Sequence, residues 1–247
     1  MPLHSILPAS FLNRLVHAET HCCRGIGLHR PTAGRFEYDR AELWADGIIH
    51  GLGIALGFVA VSVLVTSLPS DPSPSDLVPI LIYSGAMLAV LMISAAYNMW
   101  PISPVKWWLR RFDHAAIFVL IAGTYTPFLT RMGGAITPQL LMVIVWAVSL
   151  VGIILKIVLP GRFDRLSIGL YLLIGWSGLI LWDQILALPS ETLWLLGAGA
   201  ILYTVGVIFH VWDRLRFQNA IWHTFVLLAT ACHYGAVFTV FAMTESA

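Results

Sequence analysis

Seven apolar stretches, at about 44–67, 77–99, 113–132, 139–159, 166–183, 192–212 and 219–242, dominate the sequence. Each is close to the roughly 20 residues that a helix needs to cross a bilayer. The pattern predicts an all-α integral membrane protein, a seven-transmembrane helix bundle. Composition agrees: 58% of residues are hydrophobic, 11% are charged and mean hydropathy is +0.82, whereas soluble domains carry roughly 25% charged residues.

The breaks between stretches carry turn chemistry: Ser70 to Asp76 with two prolines, Pro101 to Pro104, Gly133-Gly134, Pro160-Gly161 and Pro189-Ser190. Connections this short leave little room for a soluble domain. Residues 1–41 read as a tail, and 42–247 as the membrane domain. The tail's apolar patch, Ile6 to Val16, is too brief to span a membrane or to serve as a signal sequence, and reads as a surface helix in part. Cys22, Cys23 and Cys232 form no disulfide framework, and His21-Cys22-Cys23 reads as an exposed tail with reactive thiols rather than as a metal site.

Orientation follows from the distribution of cations. Of the 14 Lys and Arg residues, all but Arg131 fall in the tail or in the connections after the second, fourth and sixth stretches. By the positive-inside rule that side is cytoplasmic, which places the N-terminus inside and the C-terminus outside. Trp44, Trp100, Trp107, Trp108, Trp182, Trp194, Trp212 and Trp222 lie near helix ends, where aromatic belts form, and 106–111 reads as a short amphipathic connection on the inner leaflet. The net charge of +1 gives no reason to expect nucleic acid; membrane lipids are the expected partners.

This topology gives each polar residue a depth. Asp46 and His50 open the first span one helical turn apart; Ser94 and Asn98 close the second; Asp113 and His114 open the third; Asn219 and His223 open the seventh. All fall at the cytoplasmic level. His210 and Asp213 read as interfacial, and His233, deeper in the last span, as a helix-to-helix hydrogen-bonding residue. Ionisable groups inside hydrocarbon cost roughly 2.5–3.5 kcal/mol even on lenient scales, so Asp113 and His223 require partners or a wet cavity.

Asp46-x3-His50-Gly, Ser94-x3-Asn98, Asp113-His114 with Ile121-Ala-Gly-Thr-Tyr-Thr-Pro127, and Asn219-x3-His223 together resemble the hemolysin III branch of the progestin and adiponectin receptor (PAQR) family. The resemblance covers about residues 42–242. It implies a seven-helix bundle in a bacterial plasma membrane, with an intramembrane zinc held by histidines and an acid, Asp113, that holds the metal-bound water. Carried over by position, the ligands would be Asn98, Asn219 and His223. Two of these are neutral amides, which are poor zinc donors. Either Asp113, His50 or His114 joins His223 in a mixed site, or the metal is lost and a hydrogen-bonded ring remains.

The resemblance implies three functions. The first is a lipid amide or ester hydrolase with Asp113 as general base and Ser94, His50 or His114 orienting the carbonyl. The second is a non-enzymatic sensor or regulator of membrane lipid state. The third, a pore-forming cytolysin, ranks last because no span carries a charged lumen stripe.

Overall fold

The computed structural model describes residues 37–132 and 134–242. The tail motifs, including His21-Cys22-Cys23 and the Ile6–Val16 patch, lie outside the described residues. Within them the chain is helical: α1 (Arg40–Thr66), α2 (Pro74–Met99), α3 (Pro104–Arg131), α4 (Ile136–Val158), α5 (Asp164–Trp176), a 3-10 turn (Ser177–Leu181), α6 (Trp182–Leu186), α7 (Ser190–His210) and α8 (Gln218–Ala242). Among the described residues seven segments are long and apolar enough to cross a membrane, with α5, the 3-10 turn and α6 forming one of them.

Local chemistry sets the helix starts. Asp39 and Glu42 form a capping box at α1, each side chain accepting the other's backbone N–H at 2.9 Å. The backbone N–H of Glu42 also holds the Asp39 carboxyl below the usual carboxylate range. The second Glu42 oxygen accepts from the N–H of Phe217 at 2.9 Å, where the chain turns into α8 with a left-handed backbone (φ 58°). One carboxylate therefore caps α1 and braces the strained turn before α8, which places Asp46 opposite His223.

The third span begins nine residues before the expected start. Ser103 caps it, its hydroxyl accepting from the N–H of Lys106 at 3.4 Å, and Pro104 occupies the first turn, where its missing N–H costs nothing. Residues 106–111 are thus the first turns of α3 rather than a surface connection, and Lys106, Trp107, Arg110 and Arg111 are buried. Their cations have partners inside the bundle. The Lys106 ammonium donates to the carbonyls of Tyr97, Asn98 and Trp100 at 3.0, 3.1 and 2.8 Å, capping the end of α2. The Arg111 guanidinium donates to the carbonyl of Ile157 at 3.2 Å.

The spans form a ring closed by contacts of α1 with α8 and of α5 with α7, while α3 touches α2, α4, α5 and α8. It is the inner helix: 61% of its apolar window is buried, against 17–39% in the other six spans. In a membrane such packing relies on close approach by small residues. A Cβ on Gly123 would come within 2.7 Å of the Ala86 methyl carbon, and one on Gly152 of α4 would overlap the Phe118 ring.

The Gly-Thr-Tyr-Thr-Pro block also repairs the break in the fifth span. The Tyr125 hydroxyl donates to the carbonyl of Ile174 at 2.8 Å and accepts from the N–H of Gly178 at 2.7 Å. Thr126 accepts from the Trp146 indole at 3.2 Å. Backbone groups freed at membrane depth are satisfied by side chains here, the condition for a broken helix in hydrocarbon.

Candidate functional site

Asp46 is the centre of the site. It lies two turns into α1, 3% exposed, and its carboxylate accepts from the Nδ1–H of His223 at 2.6 Å and from the amide Nδ2 of Asn219 at 2.9 Å. A carboxylate can only accept, so the His223 ring carries a proton on Nδ1. Its Nε2 faces the Ser94 hydroxyl at 3.5 Å.

The two asparagines complete the connections. Asn219 Nδ2 also donates to Asn98 Oδ1 at 2.8 Å, and Asn98 Nδ2 donates to the Ser94 carbonyl at 2.9 Å and to its hydroxyl oxygen at 3.3 Å. Ser94, Asn98, Asn219, His223 and Asp46 are thus one hydrogen-bonded circuit joining α2, α8 and α1. His50 stands against it, its ring centroid 4.3 Å from that of His223 and its Nε2 3.7 Å from Asp46 Oδ2. Among the described residues this buried Nε2 has no hydrogen-bond partner.

Asp113 and His114 lie on the facing wall. Asp113 lines the same cavity as His50, Ser94 and His223, with the Ser94 hydroxyl as its hydrogen-bonding neighbour, and is 3.5 Å from His114 Nδ1. The His114 ring is turned away from the circuit: Nδ1 donates to the Arg110 carbonyl at 2.8 Å, and the ring meets Tyr97 edge-on. His210 and Asp213, read from the sequence as interfacial, both line the same cavity, where His210 packs on Trp222.

A cavity of about 450 Å³ separates these walls. Its polar end is bounded by His50, Ser94, Asp113 and His223, and it continues past Ile117 and Ile121 to Tyr125, Trp176 and His233. There it meets a second cavity of about 500 Å³, lined almost entirely by apolar side chains and including Trp182 and Trp194. Gly199 makes room for His233: a Cβ there would overlap the imidazole. An amphipathic molecule fits such a shape, with its polar group at the Asp46 end and its chain among the apolar residues.

Beside the mouth, Asp164 at the start of α5 pairs with Arg110 at 2.9 Å and Lys156 at 2.6 Å. The sequence pattern did not single out this clamp. The one signal for it was a lysine in the last turn of an otherwise apolar helix, which needs an acid nearby.

The family model described as Haemolysin-III related matches residues 41–234. The chain belongs to the haemolysin III family. It is 38% identical to the Hemolysin-3 homolog of Bacillus subtilis (strain 168) over 194 residues, 78% of this chain and 91% of that protein. It is 34% identical to Hemolysin-3 of Bacillus cereus over the same length, covering 89% of the relative. It is also 26% identical over 236 residues to the human monocyte to macrophage differentiation factor, 92% of this chain and 93% of that protein. These matches place it in the hemolysin III branch of the PAQR family, as an integral membrane protein.

The metal set carried over from that family, Asn98, Asn219 and His223, does not suit a metal here. Both amides use their N–H groups and one carbonyl oxygen within the circuit. The correction lies in α1: Asp46, His50 and His223 have ligand atoms within 4.8 Å of one another, all buried, and could hold a metal ion. A carboxylate with two imidazoles is a donor set zinc accepts, and the unpartnered Nε2 of His50 is available to it. Asp113 and His114 do not join that group.

Proposed function

We propose that this haemolysin III family member is a hydrolase of lipid amides or esters, working at the polar end of its intramembrane cavity. The observation that carries this reading is the buried circuit around Asp46 and His223, which faces a cavity with a long apolar extension. A lipid whose carbonyl lies beside Ser94 and His223 would extend its acyl chain past Ile117 and Ile121. Asp113, on the facing wall, is placed to accept a proton from water entering at the polar mouth. Zinc held by Asp46, His50 and His223 would supply a bound water acidified toward a pKa of roughly 7. We place the basic end of the bundle in the cytoplasm and the protein in a bacterial plasma membrane, since 13 of the 14 cations cluster on one side, all but Arg131, and two of its relatives are Bacillus proteins.

The test is fatty acid release from ceramide and phospholipid by the purified chain in lipid nanodiscs, with chelator and with added zinc. Release that falls at least 100-fold in His223→Ala supports the reading. No release from any lipid in either condition overturns it.

The second, almost wholly apolar cavity favours one alternative, a lipid-occupied sensor without chemistry. That reading expects altered acyl composition in a deletion strain under fluidity stress, with normal composition restored by His223→Ala as well as by the wild type. Failure of His223→Ala to restore it removes the sensor.

A further inference from the structure

We infer that the basic rim of the cavity is a phosphate subsite, in which Arg110 and Lys156 hold the phosphate ester of a glycerophospholipid. As a statement about substrate the inference rests on the lipid hydrolase reading, which it narrows from any lipid amide or ester to an ester that bears a phosphate.

Charge balance is the first observation. Arg110 of α3 and Lys156 of α4 are both buried, and both line the cavity. One carboxylate, Asp164, answers the pair, giving one oxygen to each at 2.9 and 2.6 Å. Two cations against one anion leave a positive charge over, where burial makes an unbalanced ion costly. The rest of the rim does not remove it. Lys106 directs its ammonium to three neutral carbonyls, and Arg165 is exposed. The other carboxylates on the cavity wall are Asp113, one turn deeper along α3, and Asp213, which is exposed.

Hydrogen-bonding capacity is the second. Asp164 is the one hydrogen-bond partner of the Lys156 ammonium among the described residues, and an ammonium has three N–H groups. The Arg110 guanidinium meets Asp164 and the Tyr97 hydroxyl, and has five. His210 lines the same cavity, with Arg110, Lys156 and Asp164 among the charged groups around it. Its buried Nδ1 has no hydrogen-bond partner among the described residues. A phosphodiester offers two anionic oxygens to such donors, and the planar guanidinium fork matches them with parallel hydrogen bonds. A ceramide presents only hydroxyls and an amide, which leave the positive charge unanswered.

Depth is the third. Lys156 stands in the last turn of α4, Asp164 in the first turn of α5 and Arg110 in the second turn of α3, so the rim lies at the helix ends, where lipid headgroups are. Arg110 and Asp113 are three residues apart on one helix, about 4.5 Å along its axis, and both line the cavity. That rise is comparable to the glycerol bridge between a lipid phosphate and its nearest ester carbonyl. A phosphate on Arg110 and Lys156 therefore sets the carbonyl near Asp113 and Ser94, and the acyl chain runs on past Ile117 and Ile121.

The test is native mass spectrometry of the full chain in a neutral detergent, titrated separately with dioleoylphosphatidylglycerol, dioleoylglycerol, oleate and glycerol 3-phosphate. The expected result is one phosphatidylglycerol per chain, held about tenfold or more tighter than each of the other three. Lys156→Gln should weaken it roughly tenfold, the loss of one charge-assisted hydrogen bond, and Lys156→Arg should restore it. Asp164→Asn should tighten it, an effect opposite in sign to its cost in stability that a merely structural clamp would not produce. Arg162→Gln removes an exposed cation outside the cavity wall and should change binding by less than about twofold. Dioleoylglycerol held as tightly as phosphatidylglycerol overturns the subsite. Equal losses in Arg162→Gln and Lys156→Gln also overturn it, in favour of a general attraction of anionic lipid to a basic surface. Oleate binding as tightly overturns phosphate as the group recognised, and glycerol 3-phosphate binding as tightly overturns the lipid as its source. The wild-type comparisons require no variant, so a misfolded mutant cannot mask the answer. Because binding is read without turnover, a failed subsite leaves the hydrolase reading intact. Tight phosphatidylglycerol binding without fatty acid release from any lipid supports the subsite and removes lipid hydrolysis.

Discussion

Asp164 and Asp46 are both carboxylates drawn into the same end of the bundle, yet their partners differ in kind. Asp164 lies between two basic side chains, Arg110 and Lys156, at 2.9 and 2.6 Å. Asp46 is held by an imidazole and an amide, at 2.6 and 2.9 Å, with a second imidazole at its edge. The first arrangement is a clamp tying α3, α4 and α5 together, and nothing in it is ready to exchange a proton. In the second, the acid's main partner is a histidine, which can gain and lose a proton at its far nitrogen. A buried carboxylate takes its role from its partners.

Substitutions can break this contrast, and the largest effect belongs to the Asp46 side. Asp46→Asn removes the charge that orients His223, and lipid hydrolysis should fall roughly 10³–10⁴-fold, about 4–5.5 kcal/mol of barrier. Fatty acid release from nanodiscs measures this; a decrease under tenfold would make Asp46 structural like Asp164.

Asp164→Asn should act on stability instead. It leaves Arg110 and Lys156 without their carboxylate and should cost about 3 kcal/mol, seen as a lower thermal unfolding midpoint, with hydrolysis per folded molecule retained. Loss of activity in fully folded Asp164→Asn would dissolve the distinction between the two acids.

Gly152→Ala probes the packing beneath the clamp. The new methyl meets Phe118 of α3, and overpacking of this kind should cost about 1–3 kcal/mol without altering the Asp46 circuit. The smallest effect expected is that of Tyr125→Phe, which removes the hydroxyl bridging Ile174 and Gly178 and should cost about 1 kcal/mol. If Tyr125→Phe instead matches Asp164→Asn in a thermal melt, the break in the fifth span rather than the clamp is the weaker point of the bundle.

Much of this was legible in one dimension because it is local. Continuous apolar runs and proline or glycine breaks are properties of neighbours in sequence, and apart from the start of α3 the seven spans lie close to where those patterns put them. The pairs Asp46/His50, Ser94/Asn98 and Asn219/His223 share helix faces by the 3.6-residue repeat alone. The start of α3 was misplaced because the cations at 106, 110 and 111 look like surface residues until the carbonyls of α2, Asp164 and the Ile157 carbonyl appear around them.

Partnership between helices was not legible. Rotation and tilt of each span are fixed by packing, such as Gly123 against Ala86 and Glu42 bracing the turn into α8. Those contacts decide that Asp46, not Asp113, receives His223, and that His114 turns away. By itself the sequence determined a seven-span helical membrane chain with acids and imidazoles near one level, because hydropathy and helical periodicity act along the chain. Only the tertiary structure decided which acid holds which imidazole and where the far nitrogen of His223 points, because hydrogen bonds are short, directional and set across the gaps between helices.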